Sequence, residues 1–246
     1  MATIAIIGGT GLARMEGLEI KSREMIKTPY GAPSCPIIYG ELNKLPVAFL
    51  ARHGHTHKIP PHRINYCANI WALHSIGVKK VVAVGAVGGI SEECKTGSIV
   101  VPDQIVNYTT GRTNTFYDGP PSEVRHVDFS YPYDDEIRNA LIKSGSQADA
   151  DVVNHGTYGA TQGPHLETIA EVARMERDGC TIVGMTGMPE AVLARELDMA
   201  YACCGVVVNA AAGKGADIIS MEEIKNGIDA GMQKALGVVE GAVKIL

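Results

Sequence analysis

Several stretches of this chain set anion-binding residue types at backbone turns. Ile6-Ile7-Gly8-Gly9-Thr10-Gly11-Leu12 is an apolar run breaking into glycines. Main-chain N–H groups can approach an anion there, with the Thr10 hydroxyl as an added donor. An ordinary strand-ending turn and a dinucleotide site are the rivals. The second is weak, because Gly17 is too distant for GxGxxG spacing and no strand with an acidic end follows. Ala51-Arg52-His53-Gly54-His55-Thr56-His57 follows a second apolar run. Arg52 can offer a planar fork to phosphate and His53 a further donor. A metal site on His53, His55 and His57 is the rival, since the three would share one face of a continuing strand. Gly54 and Pro60-Pro61 argue that the strand stops, and no clustered Asp or Glu completes a ligand set. Met185-Thr186-Gly187-Met188-Pro189-Glu190 sets a hydroxyl before a helix start marked by Pro189, as an anion donor or a plain N-cap. Gly85-Ala86-Val87-Gly88-Gly89 is either a tight turn or a backbone wall against which a flat ring or sugar can lie.

The elements that must position these groups alternate. Strands are expected at Ile4-Ala5-Ile6-Ile7, Val47-Ala48-Phe49-Leu50, Val81-Val82-Ala83-Val84, Ile99-Val100-Val101, Val152-Val153, Ile182-Val183 and Tyr201 to Val208. Helical patterns occupy Tyr66 to Leu73, Asp135 to Lys143, Glu167 to Arg177 and Pro189 to Leu197. A last helix opens with a Ser220/Glu223 capping-box pattern and carries Ile224, Ile228, Met232, Leu236, Val239 and Val243 on one face. Continuous rather than alternating apolar strands imply a central sheet covered on both faces. The expected fold is α/β, one domain over residues 1–246, with a long irregular excursion from Thr109 to Tyr133.

Composition narrows the function classes. The 246 residues are 46% hydrophobic and 20% charged, ordinary for a globular enzyme, and a net charge of −5 leaves no basic footprint for nucleic acid. No apolar run approaches the roughly 20 residues of a spanning helix, and the N-terminus lacks a charged n-region, so a cytoplasmic protein away from membranes is expected. Six cysteines show no CxxC spacing, and Cys203 and Cys204 read as buried thiols rather than a disulfide.

In their joint order these segments resemble the trimeric purine nucleoside phosphorylase family, most closely its 5′-methylthioadenosine phosphorylase branch. The carriers are Ile7 to Leu12, Ala51-Arg52-His53-Gly54 with His57, Asn65-Tyr66, Ala68 to Leu73, Gly163-Pro164, and Met185-Thr186 with Pro189-Glu190. The resemblance spans nearly the whole chain. It implies attack of inorganic phosphate, a co-substrate, on the anomeric carbon of a nucleoside, in a homotrimer without metal or organic cofactor. It assigns Thr10, Arg52, His53 and Thr186 to phosphate, Gly85 and Ala86 to phosphate and ribose, and Met185 to the sugar. His126 corresponds to a histidine that reaches the neighbouring subunit's 5′ pocket.

The departures from the branch carry the specificity. Methylthioadenosine phosphorylases usually have Ser where this chain has Glu167, and Asp-x-Asp where it has Asn209-Ala210-Ala211; Glu167 and Asn209 are what the 6-oxopurine members carry. Asn209 can donate to O6 and accept from a protonated N7, and Glu167 can accept N1–H, while Ala211 removes the second carboxylate an aminopurine site would use. Those two residues are therefore expected to carry the base chemistry. At the sugar end the family's nucleoside members place a histidine, whereas this chain reads Ile218-Ile219-Ser220-Met221. Met221 suits a methylthio group and gives a hydroxyl no partner, unless it serves only as packing. The substrate implied is a 6-oxopurine nucleoside with an apolar 5′-substituent.

Overall fold

The computed structural model describes residues 2–12, 15, 17–119, 123–215 and 218–246. In chain order the elements are β1 (Ile4–Gly8), β2 (Leu18–Glu24), β3 (Ile37–Leu42), β4 (Leu45–Ala51), α1 (Tyr66–Ser75), β5 (Lys80–Gly89), β6 (Ile99–Val100), β7 (Gln104–Asn107), α2 (Asp135–Gln147), β8 (Val152–Val153), β9 (Thr157–Ala160), α3 (Ile169–Arg177), β10 (Ile182–Gly184), α4 (Gly187–Glu196), β11 (Ala200–Ala210) and α5 (Met221–Ile245). All the strands join one mixed sheet with helices packed around it. The path β2-β3-β4-β1-β5-β10-β9-β7 is extended by a branch from β5 through β11 and β6 to β8.

The site is positioned by how β5 shares its edges. β11 runs parallel along one edge from Lys80 to Gly89. On the opposite edge β1 pairs over Lys80–Ala83, and β10 pairs antiparallel with Gly88 and Gly89. Between them the sheet splits, and Val84 to Val87 face no strand on that edge. The C-terminal ends of β1, β4 and β10 converge on the split. They deliver Gly9-Thr10, Arg52-His53 and Met185-Thr186 respectively, and ligands gather where strand order reverses in open α/β sheets.

A bulge and a close helix approach shape the far wall. The β11 register steps from Val207↔Val87 to Asn209↔Gly88, so Val208 is the extra residue. Helix α5 lies directly over this segment. A Cβ at Gly227 would run into the Val208 carbonyl, and one at Gly231 into the Val206 side chain. Only glycine lets helix and strand backbones come this close.

Helix starts differ in detail from the sequence pattern. Ser220 caps α5 by accepting from Glu223 N at 3.0 Å. The reciprocal capping box forms instead at Thr168 and Glu171, where α3 begins. Glu167, expected inside that helix, therefore precedes it and is free to face the cavity. From Tyr108 to Tyr133 no helix or strand forms among the described residues.

Candidate active site

The split opens into a cavity of about 380 Å³, within the range of small-molecule sites. Of the residues singled out from sequence, Thr10, Arg52, His53, Gly85, Ala86, Glu167, Met185, Thr186, Asn209 and Ala211 all line it. They come from the ends of β1, β4, β10 and β11, the interior of β5 and the loop before α3.

At the anion end, the arginine fork is not presented as sequence reasoning expected. Arg52 is 1% exposed and gives its fork to Glu190, with Nε to Oε2 and Nη2 to Oε1 both at 2.6 Å. Its Nη1 donates to the Val84 carbonyl at 3.1 Å, so of five N–H donors three are engaged and two remain for a ligand. Burial alone pushes the guanidinium pKa down; the Glu190 carboxylate more than offsets this, and the net shift is upward. Tyr201 also donates to Glu190 Oε1, at 2.9 Å. Arg52 is thus a locked, charge-balanced donor.

His53 differs from expectation in the same direction. Its Nδ1 lies 2.8 Å from the Ile59 carbonyl, which can only accept, so Nδ1 carries the proton. Burial, helped by the Arg52 charge, pushes its pKa down to about 4. At neutral pH its Nε2 is therefore a lone-pair acceptor, suited to a protonated oxygen of an anion rather than to a bare one. Thr186 is the N-cap residue of α4 but makes no side-chain cap bond; its hydroxyl neighbours that of Tyr158 at the cavity wall. Gly9 is required here, since a Cβ would sit 2.7 Å from Val84 O and 2.9 Å from Arg52 Nη1.

The metal reading of the histidines fails on geometry. Strand β4 ends at Ala51, and positive φ at Gly54 (76°) and His57 (51°) turns the chain away from extended backbone. His57 folds back so that its Nε2 is 3.4 Å from Thr10 Oγ1, while His55 is exposed and outside the cavity. No group of three or more His, Cys, Asp or Glu suited to a metal exists among the described residues.

The opposite end carries two polar groups in a wall of Val183, Val208, Ala211 and Leu166. Glu167 accepts from Thr161 Oγ1 at 2.6 Å through Oε1, which fixes the carboxylate and leaves Oε2 open. Asn209 is 6% exposed, and its Nδ2 donates to the Ala210 carbonyl at 2.7 Å. A carbonyl can only accept, so this contact orients the amide and leaves one N–H and Oδ1 for a ligand.

Comparison with known proteins gives the family. Residues 3–244 match the phosphorylase superfamily. The chain belongs to it. A Pseudomonas syringae pv. tomato protein named "Probable S-methyl-5′-thioinosine phosphorylase" is 52% identical over 95% of each chain. The "6-oxopurine nucleoside phosphorylase" of Pyrococcus furiosus is 46% identical over 91% of this chain and 85% of its own. The solved methylthioadenosine phosphorylase from Schistosoma mansoni, in complex with adenine, superposes with a TM-score of 0.94 at 27% identity, covering 99% of this chain and 91% of that one.

This phosphorylase also uses residues that sequence reasoning passed over. Arg112, from the irregular excursion, ties two walls together. It donates from Nη1 to the Met185 and Met188 carbonyls (2.9 and 2.6 Å), and from Nη2 to those of Thr161 and Gln162 (3.2 and 2.8 Å). Tyr66 sits beneath its guanidinium and donates to the Pro61 carbonyl at 3.0 Å, holding a third wall. Nothing in local sequence marks Arg112, because its partners, main-chain carbonyls together with the Gln162 and Tyr66 side chains, all lie far away in the chain.

Two expected positions lie elsewhere. Met221 does not line the cavity; it is the first residue of α5 and 74% exposed. It shares a helix face with Ile224 and Ile228 but lies one turn further out than the cavity wall reaches. The apolar end is lined instead by Ile219, Ile224 and Ile228. His126 is exposed and outside the cavity of its own chain.

Proposed function

We propose that this phosphorylase cleaves S-methyl-5′-thioinosine with inorganic phosphate, yielding hypoxanthine and 5-(methylthio)ribose 1-phosphate. The observation that carries the reading is the pairing of Asn209 with Glu167 at one end of a cavity whose α5 side is apolar. A phosphate oxygen bonds to C1′ as the C1′–N9 bond breaks and its electron pair moves into the purine. N7 takes a proton from water, balanced by the proton that hydrogen phosphate gives up to solvent on forming the sugar ester; Asn209 Oδ1 accepts from the new N–H while its free N–H donates to O6. Phosphate held by Thr10, Arg52, His53 and Thr186 sits opposite the leaving base and stabilises the oxocarbenium-like ribose; no enzyme nucleophile is required. Gly85, Ala86 and Met185 border the sugar. Ile219, Ile224 and Ile228 meet the methylthio group without leaving a buried hydroxyl unpaired.

A substrate panel of inosine, adenosine and their 5′-methylthio forms, each with and without phosphate, tests the reading. Cleavage is expected only with phosphate, and fastest on the methylthio oxopurine. Hydrolysis at full rate without phosphate sinks it, and a preference for adenosine forms transfers it to the methylthioadenosine phosphorylase alternative. No metal or organic cofactor enters the scheme.

The active species in this reading is a homotrimer in the cytoplasm. No described helix is long and apolar enough to cross a membrane. Val124 and Tyr131 are 73% and 77% exposed on the same excursion as His126, an apolar surface that a second copy would cover. Sedimentation should give a trimer, with activity lost on dilution to monomers; a fully active monomer would rule out His126 as a neighbour's 5′-pocket residue.

A further inference from the structure

We propose that Lys58 is a phosphate-binding residue of this site, supplying the unpaired positive charge that its other anion ligands lack. The inference rests on the phosphorylase reading above. Charge accounting motivates it. Arg52 is balanced by the bidentate Glu190 carboxylate, Thr10 and Thr186 are neutral, and Glu167 brings a negative charge at the far end. His53 is neutral at physiological pH, and burial likewise lowers the pKa of His57 from its ordinary value and disfavours its charged form. A phosphate dianion entering this cavity would meet donors but, without Lys58, no net cation.

Lys58 is the remaining cationic side chain in the lining, and its position is constrained on both sides. The preceding residue, His57, places Nε2 3.4 Å from Thr10 Oγ1. The following residue, Ile59, exchanges two bonds with His53: its carbonyl accepts from Nδ1 at 2.8 Å, and its N–H donates to the His53 carbonyl at 3.2 Å. The main chain of Lys58 is thereby held between two residues that line the cavity. Its side chain is exposed and forms no hydrogen bond or ion pair among the described residues. A four-carbon stem with a rotatable ammonium can reach a phosphate oxygen as a point charge.

The test measures the dissociation constant of inorganic phosphate by calorimetry, and KM for phosphate and for nucleoside, in wild type, Lys58→Gln and Lys58→Arg at low and high salt. Lys58→Gln should weaken phosphate by about tenfold at low salt in both Kd and KM, the scale of one charge-assisted contact near solvent. Nucleoside KM and melting temperature should not move, Lys58→Arg should recover most of the affinity, and the gap should narrow as salt screens the charge. Equal phosphate affinity in wild type and Lys58→Gln, or a rise confined to nucleoside KM, overturns the proposal. Wild type that binds phosphate but performs no phosphorolysis would refute the proposed reaction while leaving the Kd comparison to decide Lys58.

Discussion

Wild-type enzyme should prefer S-methyl-5′-thioinosine over 5′-methylthioadenosine by at least roughly 10²-fold in kcat/KM, the scale on which buried polar mismatches discriminate. The Glu167 carboxylate is anchored by Thr161 and presents an acceptor. It meets N1–H of hypoxanthine favourably and the unprotonated N1 of adenine unfavourably. The amide of Asn209 has one N–H committed to Ala210 and the other free. That donor suits O6 and opposes a 6-amino group. Both contacts fail together for an aminopurine, and each leaves a desolvated polar group without a partner. Combining Asn209→Asp with Glu167→Ser should move preference towards the aminopurine, because a protonated Asp can donate to N7 while its other oxygen accepts from the amino group. Competition assays with the two methylthio substrates measure this directly. Equal wild-type rates would overturn the base assignment and leave phosphorolysis untouched.

Glu190→Ala should be among the most damaging single substitutions in the protein. It leaves the Arg52 guanidinium buried without a counter-charge and Tyr201 without its acceptor. Breaking one side of a buried ion pair costs about 3–5 kcal/mol. For a chain of this size that corresponds to a fall of roughly 10 °C in melting temperature. Replacing both Arg52 and Glu190 with apolar residues of similar volume should restore much of the stability, since the desolvated charge is gone, yet leave phosphate affinity abolished. Thermal melts of the single and double variants, with phosphate titrations, separate the two roles. A Glu190→Ala protein that melts with wild type would show that the pair contributes nothing to the fold.

The legible parts of the fold were the strands buried on both faces. β1, β4, β5 and β11 announce themselves as uninterrupted apolar runs because neither face meets water. β2, Leu-Glu-Ile-Lys-Ser-Arg-Glu, is exposed beyond its first residue and carries charges suited to a sheet edge, so no apolar run marks it. β9 hides in Thr-Tyr-Gly-Ala for a different reason, being four residues long with a single large side chain, Tyr158, and so too short to show a periodicity. At the site, residues at strand ends were legible because glycine turns flag them. Partnerships were not. Glu190 lies 138 positions from Arg52, and only the folded sheet reveals that the fork is already taken. Met221 lies one helical turn outside the cavity lining of this chain, a distance that periodicity cannot resolve.

The extra residue in β11 has a consequence for how this pocket could change. Side chains alternate along a regular strand, so neighbours point to opposite faces. Val208 and Asn209 nevertheless both line the cavity, because the bulge lets two consecutive residues share one side. The parity of everything downstream is inverted by that single insertion. Removing one residue here would turn the Asn209 amide away from the purine without altering any side chain's identity, whereas point substitutions leave the facing intact and change only the chemistry. Base recognition in this chain is therefore written partly as a count of residues, and a relative with the same letters at a different count would read a different surface.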